Sequence, residues 1–169
     1  MNNKELALTI AKAGYKIIPC YPRGHERAKQ PMSDLVPSWP KDASKNGIYI
    51  LRWFGGTVPK LIGIPCEING FFAIDVDGPE GAATWSKWVQ ELGMSEPGPM
   101  QKTLHGFHYL FKSPTEFKVP GKVGALAAGI DLRGPNYICT GGEGSGYDWI
   151  VPITEPLPQA PQWLLDKIR

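Results

Sequence analysis

Apolar residues along this chain fall into short runs separated by proline and glycine, and the spacing inside each run points to its element. Leu6, Ile10 and Ala13 recur at helical spacing with Gly14 after them, which predicts a helix over residues 4–13. Residues 15–19 read as a strand, and the proline-punctuated stretch 20–40 as loop. Residues 48–54 read as one or two helical turns, and 61–65 as a short apolar strand. The stretch FFAIDVD at 71–77 is the clearest strand, and Gly78-Pro79 opens a helix that Gly93 closes. Trp85, Trp88, Val89 and Leu92 form the apolar face of that helix, a core spacing that assigns the tryptophans to packing and not to base stacking. Further strands are expected over 107–112, 130–133 and 137–140, with a last one over 147–151 after the turn GGEGSG. A proline-rich strap over 152–161 then leads to a helix over 162–169, whose abrupt end predicts a longer parent chain. Interspersed helices and strands place the chain in the α/β or α+β class with a mixed sheet.

Alternation along the strands is what brings chemistry into view. Side chains at i and i+2 share a face, so Asp75 and Asp77 project together while Phe72, Ile74 and Val76 point into a core. Two neighbouring carboxylates repel unless a countercharge stands between them, and the fitting countercharge is a hard divalent cation that takes oxygen ligands, Mg²⁺ or Mn²⁺. Paired aspartates can also bridge two such ions ~3.5–4 Å apart, the arrangement of in-line phosphoryl and nucleotidyl transfer. A DxD at a strand end is by itself as often a pair of solvated aspartates before a turn. Its company shifts the balance. In HGFHYLFK, His108, Leu110 and Lys112 share one face, and in GIDLRG, Asp131 and Arg133 share another. A histidine and two cations able to converge on three carboxylates describe a site for a triphosphate with metals.

Composition narrows the alternatives. At 169 residues the chain is long enough for one domain with a real core, and 42% hydrophobic with 20% charged residues describes a globular chain. The formal net charge of +2 gives no independent argument for nucleic-acid binding. Cys20, Cys66 and Cys139 lie far apart, without metal-ligand spacing, and read as small buried hydrophobes. No run approaches the about 18 apolar residues of a membrane span, and MNNKELALTI lacks a signal-peptide core, so a cytoplasmic setting is expected. Lys29 can reach a phosphate, although a loop lysine is more often merely solvated. Arg23, Arg27 and Lys29 could form a template-binding patch but lack aromatic stacking partners beside them, and His105 reads equally as a local loop residue or a ligand.

The order and spacing of these residues resemble the archaeo-eukaryotic primase superfamily, and within it the bifunctional primase–polymerase domain of plasmids and phages. The likeness runs from the first helix to about Val151. AKAGYKIIPCYP resembles the family's opening helix and strand, KQP at 29–31 its lysine–proline turn, and SWPKDASKN with ILRWF its tryptophan–alanine segment and aromatic helix. NGFFAIDVDGPEG closely matches the first motif, HGFHYLF resembles the second and GIDLRG the third. The sequence departs from the pattern at Leu104-His105-Gly106-Phe107, at Pro135-Asn136 and at 139–142.

The resemblance implies Asp75, Asp77 and Asp131 as ligands of a two-metal site and His108 as a contact to the incoming nucleotide's phosphates. Lys112, Arg133 and Lys29 are the further nucleotide-binding candidates. It implies a catalytic core with an RRM-like mixed sheet and an N-terminal α/β unit over 1–151, with 152–169 leading onward. It further implies a DNA-directed nucleotidyltransferase that makes or extends primers on single-stranded DNA from nucleoside triphosphates, with a helicase domain in the parent protein. Three rivals stand against it. A glycosyltransferase would hold Mn²⁺ against a nucleotide sugar, a non-catalytic DNA-binding module of a replication initiator would tolerate loss of Asp75, and a nuclease would degrade DNA without nucleotides.

Overall fold

The computed structural model describes residues 1–94 and 97–169, with backbone alone for 122–125. Helix α1 spans Asn3–Lys12. A capping box fixes its start: Asn2 accepts from the Glu5 backbone N–H, and Glu5 returns a bond to the Asn2 backbone. Strand β1 (Ile18–Cys20), the short helix α2 (Trp39–Asp42) and α3 (Gly47–Phe54) follow, then β2 (Leu61–Pro65), β3 (Phe71–Asp77) and α4 (Gly78–Leu92). The remainder is β4 (Met100–Lys102), β5 (Gly106–Lys112), β6 (Lys122–Ala127), β7 (Ile130–Arg133), β8 (Tyr137–Thr140), β9 (Asp148–Val151) and α5 (Gln162–Ile168).

The strands form two sheets, β1-β2-β8 and β6-β7-β3-β5-β4-β9. The class is α+β, as the pattern indicated, but the pairings between these strands are antiparallel instead of mixed. Short turns such as those joining β4 to β5 and β6 to β7 can connect only antiparallel neighbours. Further differences concern individual elements. Strands β4 and β6 and helix α2 were not evident from apolar spacing, and the first strand begins at Ile18, after an isolated bridge from Ile17 to Ser44. Leu92, expected on the buried face of α4, is 50% exposed.

Strand β3 is the centre of the large sheet, and its two faces meet different cores. Phe72, Ile74 and Val76 pack with Trp85 of α4 and with Leu164 and Ile168 of α5. Phe71 and Ala73 face the other way, into a core built from α1, α3 and the small sheet through Ile10, Ile50, Trp53, Ile62 and Ile64. The apolar run FFAI is therefore covered on both sides. Beyond it the second layer ends, and the alternating sequence DVD buries Val76 while Asp75 and Asp77 open into a cleft.

Candidate active site

The cleft has a volume of about 490 Å³ and lies between the large sheet and the edge of the small one. Asp75, Asp77, His108 and Arg133 line its floor, with Arg23, Lys29, Cys139 and Tyr147 on the opposing side. Register puts the floor together. Asp75 on β3 is the direct cross-strand partner of His108 on β5 and of Asp131 on β7. Three side chains far apart in sequence thus stand in one row across three strands, with adjacent Cβ atoms roughly 5 Å apart.

Asp75 is the pivot of this row. His108 Nε2 lies 3.4 Å from its Oδ1, and Arg133 Nη2 donates to its Oδ2 at 3.2 Å. The same Arg133 nitrogen is 3.9 Å from Asp131, so one guanidinium bridges both carboxylates. Burial would raise the pKa of Asp75, but the His108 contact and the Arg133 charge outweigh it and hold the carboxyl below its ordinary value. Asp77 is exposed at the start of α4, without a side-chain capping bond, and faces the cleft.

His108 is itself held. It is buried, and its Nδ1 lies 2.8 Å from Nε2 of Gln101, its cross-strand neighbour on β4. Gln101 is wholly buried, and the same Nε2 donates to the Cys139 carbonyl of β8 at 2.8 Å.

Two basic residues approach from above. Arg23 donates through Nε to the Ser145 carbonyl at 2.9 Å, and its guanidinium lies 4.7 Å from the centre of the Tyr147 ring. The GGEGSG turn, read from its residues as no more than a hairpin or loop turn, anchors Arg23 through Ser145. Lys29 adopts φ +68°, a left-handed conformation costly for a residue with a Cβ. Its N–H donates to Tyr21, and its carbonyl accepts from the Tyr137 hydroxyl at 2.9 Å, which holds the turn against the cleft.

Of the residues expected at the site, Asp75, Asp77, His108, Arg133 and Lys29 line the cleft, and Asp131 adjoins it through Arg133. Lys112 does not come to it. It pairs with Phe71 at the far end of β3, about 13 Å along the strand from His108. The shared face was read correctly, but a face is longer than a site. Gln101 and Tyr147 were missed, Arg23 was discounted, and His105, left even between loop residue and ligand, lines the cleft. Arg23 and Tyr147 meet across more than a hundred residues of chain, and no local spacing announces such a contact.

Among the described residues, no group of three or more His, Cys, Asp and Glu side chains stands together as a ready-made metal cage. Arg133 supplies the countercharge between Asp75 and Asp131. Asp75 and Asp77 in the lining, with Asp131 beside them, offer carboxylate oxygens, the donors that a hard divalent cation takes. No helix is long and apolar enough to cross a membrane among the described residues.

Comparison with known families decides the class. The family model for the N-terminal domain of bifunctional DNA primase/polymerase, Prim-Pol, matches residues 7–163, nearly the whole chain. The chain belongs to the Prim-Pol family. Membership makes it, in general terms, a nucleotidyltransferase domain of the DNA primase/polymerase class, a kind that binds DNA and nucleotides and depends on divalent metal. No curated protein matches the chain closely enough to stand beside it as a relative. The Prim-Pol match covers the three strands that carry Asp75, His108 and Asp131.

Proposed function

We propose that the cleft binds a nucleoside triphosphate with two divalent cations and joins it to a primer, or to a first nucleotide, on a single-stranded DNA template. The observation that carries this reading is the cross-strand row His108–Asp75–Asp131, open to a cleft whose far side presents Arg23 and Lys29. Asp75, Asp77 and Asp131 would hold Mg²⁺ or Mn²⁺ through carboxylate oxygens. When bound, such ions activate the attacking hydroxyl and offset the charge of the departing pyrophosphate.

The protein's own part is binding and alignment. His108 offers Nε2–H to a phosphate oxygen, while Arg23 and Lys29 add positive charge where the triphosphate enters. Arg133 contacts both Asp75 and Asp131 and offsets the repulsion between their carboxylates. In-line alignment supplies much of the rate, which is why no general acid–base pair is needed. Lys112 has no part in this arrangement. We place the reaction in replication of plasmid or phage type, in a cytoplasmic setting and a parent protein that also carries a helicase.

Calorimetric titration with a deoxynucleoside or ribonucleoside triphosphate tests the site. Binding should require Mg²⁺ or Mn²⁺ and should weaken about tenfold in His108→Ala, the loss of one charge-assisted hydrogen bond. Equal affinity after chelation, or a preference for a nucleotide sugar over the triphosphate, would reject the reading in favour of a binding module or a glycosyltransferase.

A further inference from the structure

We propose that Gln101 is a positioning residue that fixes the tautomer of His108, so that the ring carries its proton on Nε2 and presents it to the cleft. This rests on the functional reading above for its consequence, but not for its geometry.

The argument begins at Cys139, whose backbone carbonyl can only accept a hydrogen bond. The Gln101 atom 2.8 Å from that carbonyl must therefore be the amide nitrogen, because the amide oxygen in its place would set two acceptors against each other. The same nitrogen is 2.8 Å from Nδ1 of His108. An amide nitrogen has two hydrogens and accepts nothing, so with one given to Cys139 the other goes to Nδ1. Nδ1 is then an acceptor, and the ring proton is on Nε2, the atom that faces Asp75 at 3.4 Å. Among the described residues, the Gln101 oxygen is buried without a hydrogen-bond partner.

The consequence concerns substrate. Phosphate oxygens accept hydrogen bonds, so a ring with a bare Nε2 would repel the triphosphate where the Nε2–H form binds it. Gln101 on β4 thus acts through His108 on β5, and Cys139 on β8 fixes the orientation of Gln101. The tautomer of the nucleotide contact is set from the small sheet, across the junction of the two sheets.

The test pairs a spectroscopic and a kinetic measurement. Long-range ¹H–¹⁵N correlation spectra of ¹⁵N-histidine protein, with the ring neutral, report which nitrogen carries the proton. Wild type should show the Nε2–H form at His108. Gln101→Met, similar in shape but without the amide, should mix the two forms, and Gln101→Glu, whose carboxylate accepts from Nδ1–H, should shift the ring toward the Nδ1–H form. In primer extension, Gln101→Met should raise KM for the incoming nucleotide roughly tenfold with kcat changed far less, as expected for loss of a ground-state contact. In a His108→Ala background the same change should add nothing, since the effect runs through the ring. A wild-type ring protonated on Nδ1 overturns the inference whatever the activity, and so does a Gln101→Met effect that persists in full without His108. A wild-type ring protonated on Nε2 in a chain that binds no nucleotide rejects the proposed function instead, and upholds the assignment of Gln101.

Discussion

Asp75 has a histidine on one side, an arginine on the other, and a second aspartate directly across the strand. Its folded-state pKa lies below the ordinary carboxylate value because His108 and Arg133 outweigh the effect of burial. The sign of the linkage follows. A depressed folded pKa contributes stability that is present above the unfolded pKa of about 4 and is lost as pH falls through the lower folded value. In metal-free protein, acidification from neutral pH to below 4 should therefore destabilise the wild type more than Asp75→Asn, as read by denaturant unfolding at each pH. Parallel stability–pH curves for the two proteins would show that the carboxylate is not held ionised as described. His108 and Arg133 add a second lesson at this scale. Each is defined less by its own chemistry than by the group behind it, Gln101 for the histidine and the paired carboxylates for the arginine.

At the scale of elements, the site depends on how closely β5 approaches β3. A Cβ at Gly106 would collide with the backbone carbonyl of Val76, immediately between Asp75 and Asp77. Gly106→Ala should cost about 1–3 kcal/mol of stability by forcing the strands apart, and should cut nucleotide affinity as well, because the shift displaces His108 against Asp75. Unfolding and nucleotide titrations on the same preparation check both effects; an unchanged affinity would mean that the register tolerates the displacement. This approach also shows what the sequence could and could not disclose. The run FFAIDVD announced β3 and the face shared by its aspartates, because alternation begins where one sheet face loses its cover. GIDLRG and HGFHYLF were legible for the same reason. The three-residue strand β4 was not, since MQK has no apolar rhythm and is held by pairing with β5 and β9. Gln101 was invisible with it. Lys112 was misplaced because alternation gives the face of a residue and says nothing of how far along the strand the site extends.

The whole molecule separates support from chemistry. One face of the large sheet is closed by α4 and α5, the other by α1, α3 and the small sheet, and the cleft opens at the edge of that second layer. Leu164 of α5 is fully buried against the face away from the cleft. Leu164→Ala should cost about 2–5 kcal/mol, yet leave primer extension per folded molecule unchanged at temperatures where the variant remains folded. A loss of activity ahead of unfolding would show that the two faces are coupled. The Prim-Pol match spans the three strands that carry the row, and the cleft between the sheets brings Arg23 and Lys29, from the first thirty residues, into the same lining as Asp75. The central claim is that the row His108–Asp75–Asp131 performs metal-dependent nucleotidyl transfer. Its most direct test is extension of a labelled primer on single-stranded template with nucleotides and Mg²⁺ or Mn²⁺, comparing wild type with Asp75→Asn. Extension that requires metal and falls by at least about a hundredfold in the variant is the expected result. A folded wild type that binds the template without extending the primer, or an Asp75→Asn protein that extends it equally well, would contradict the account.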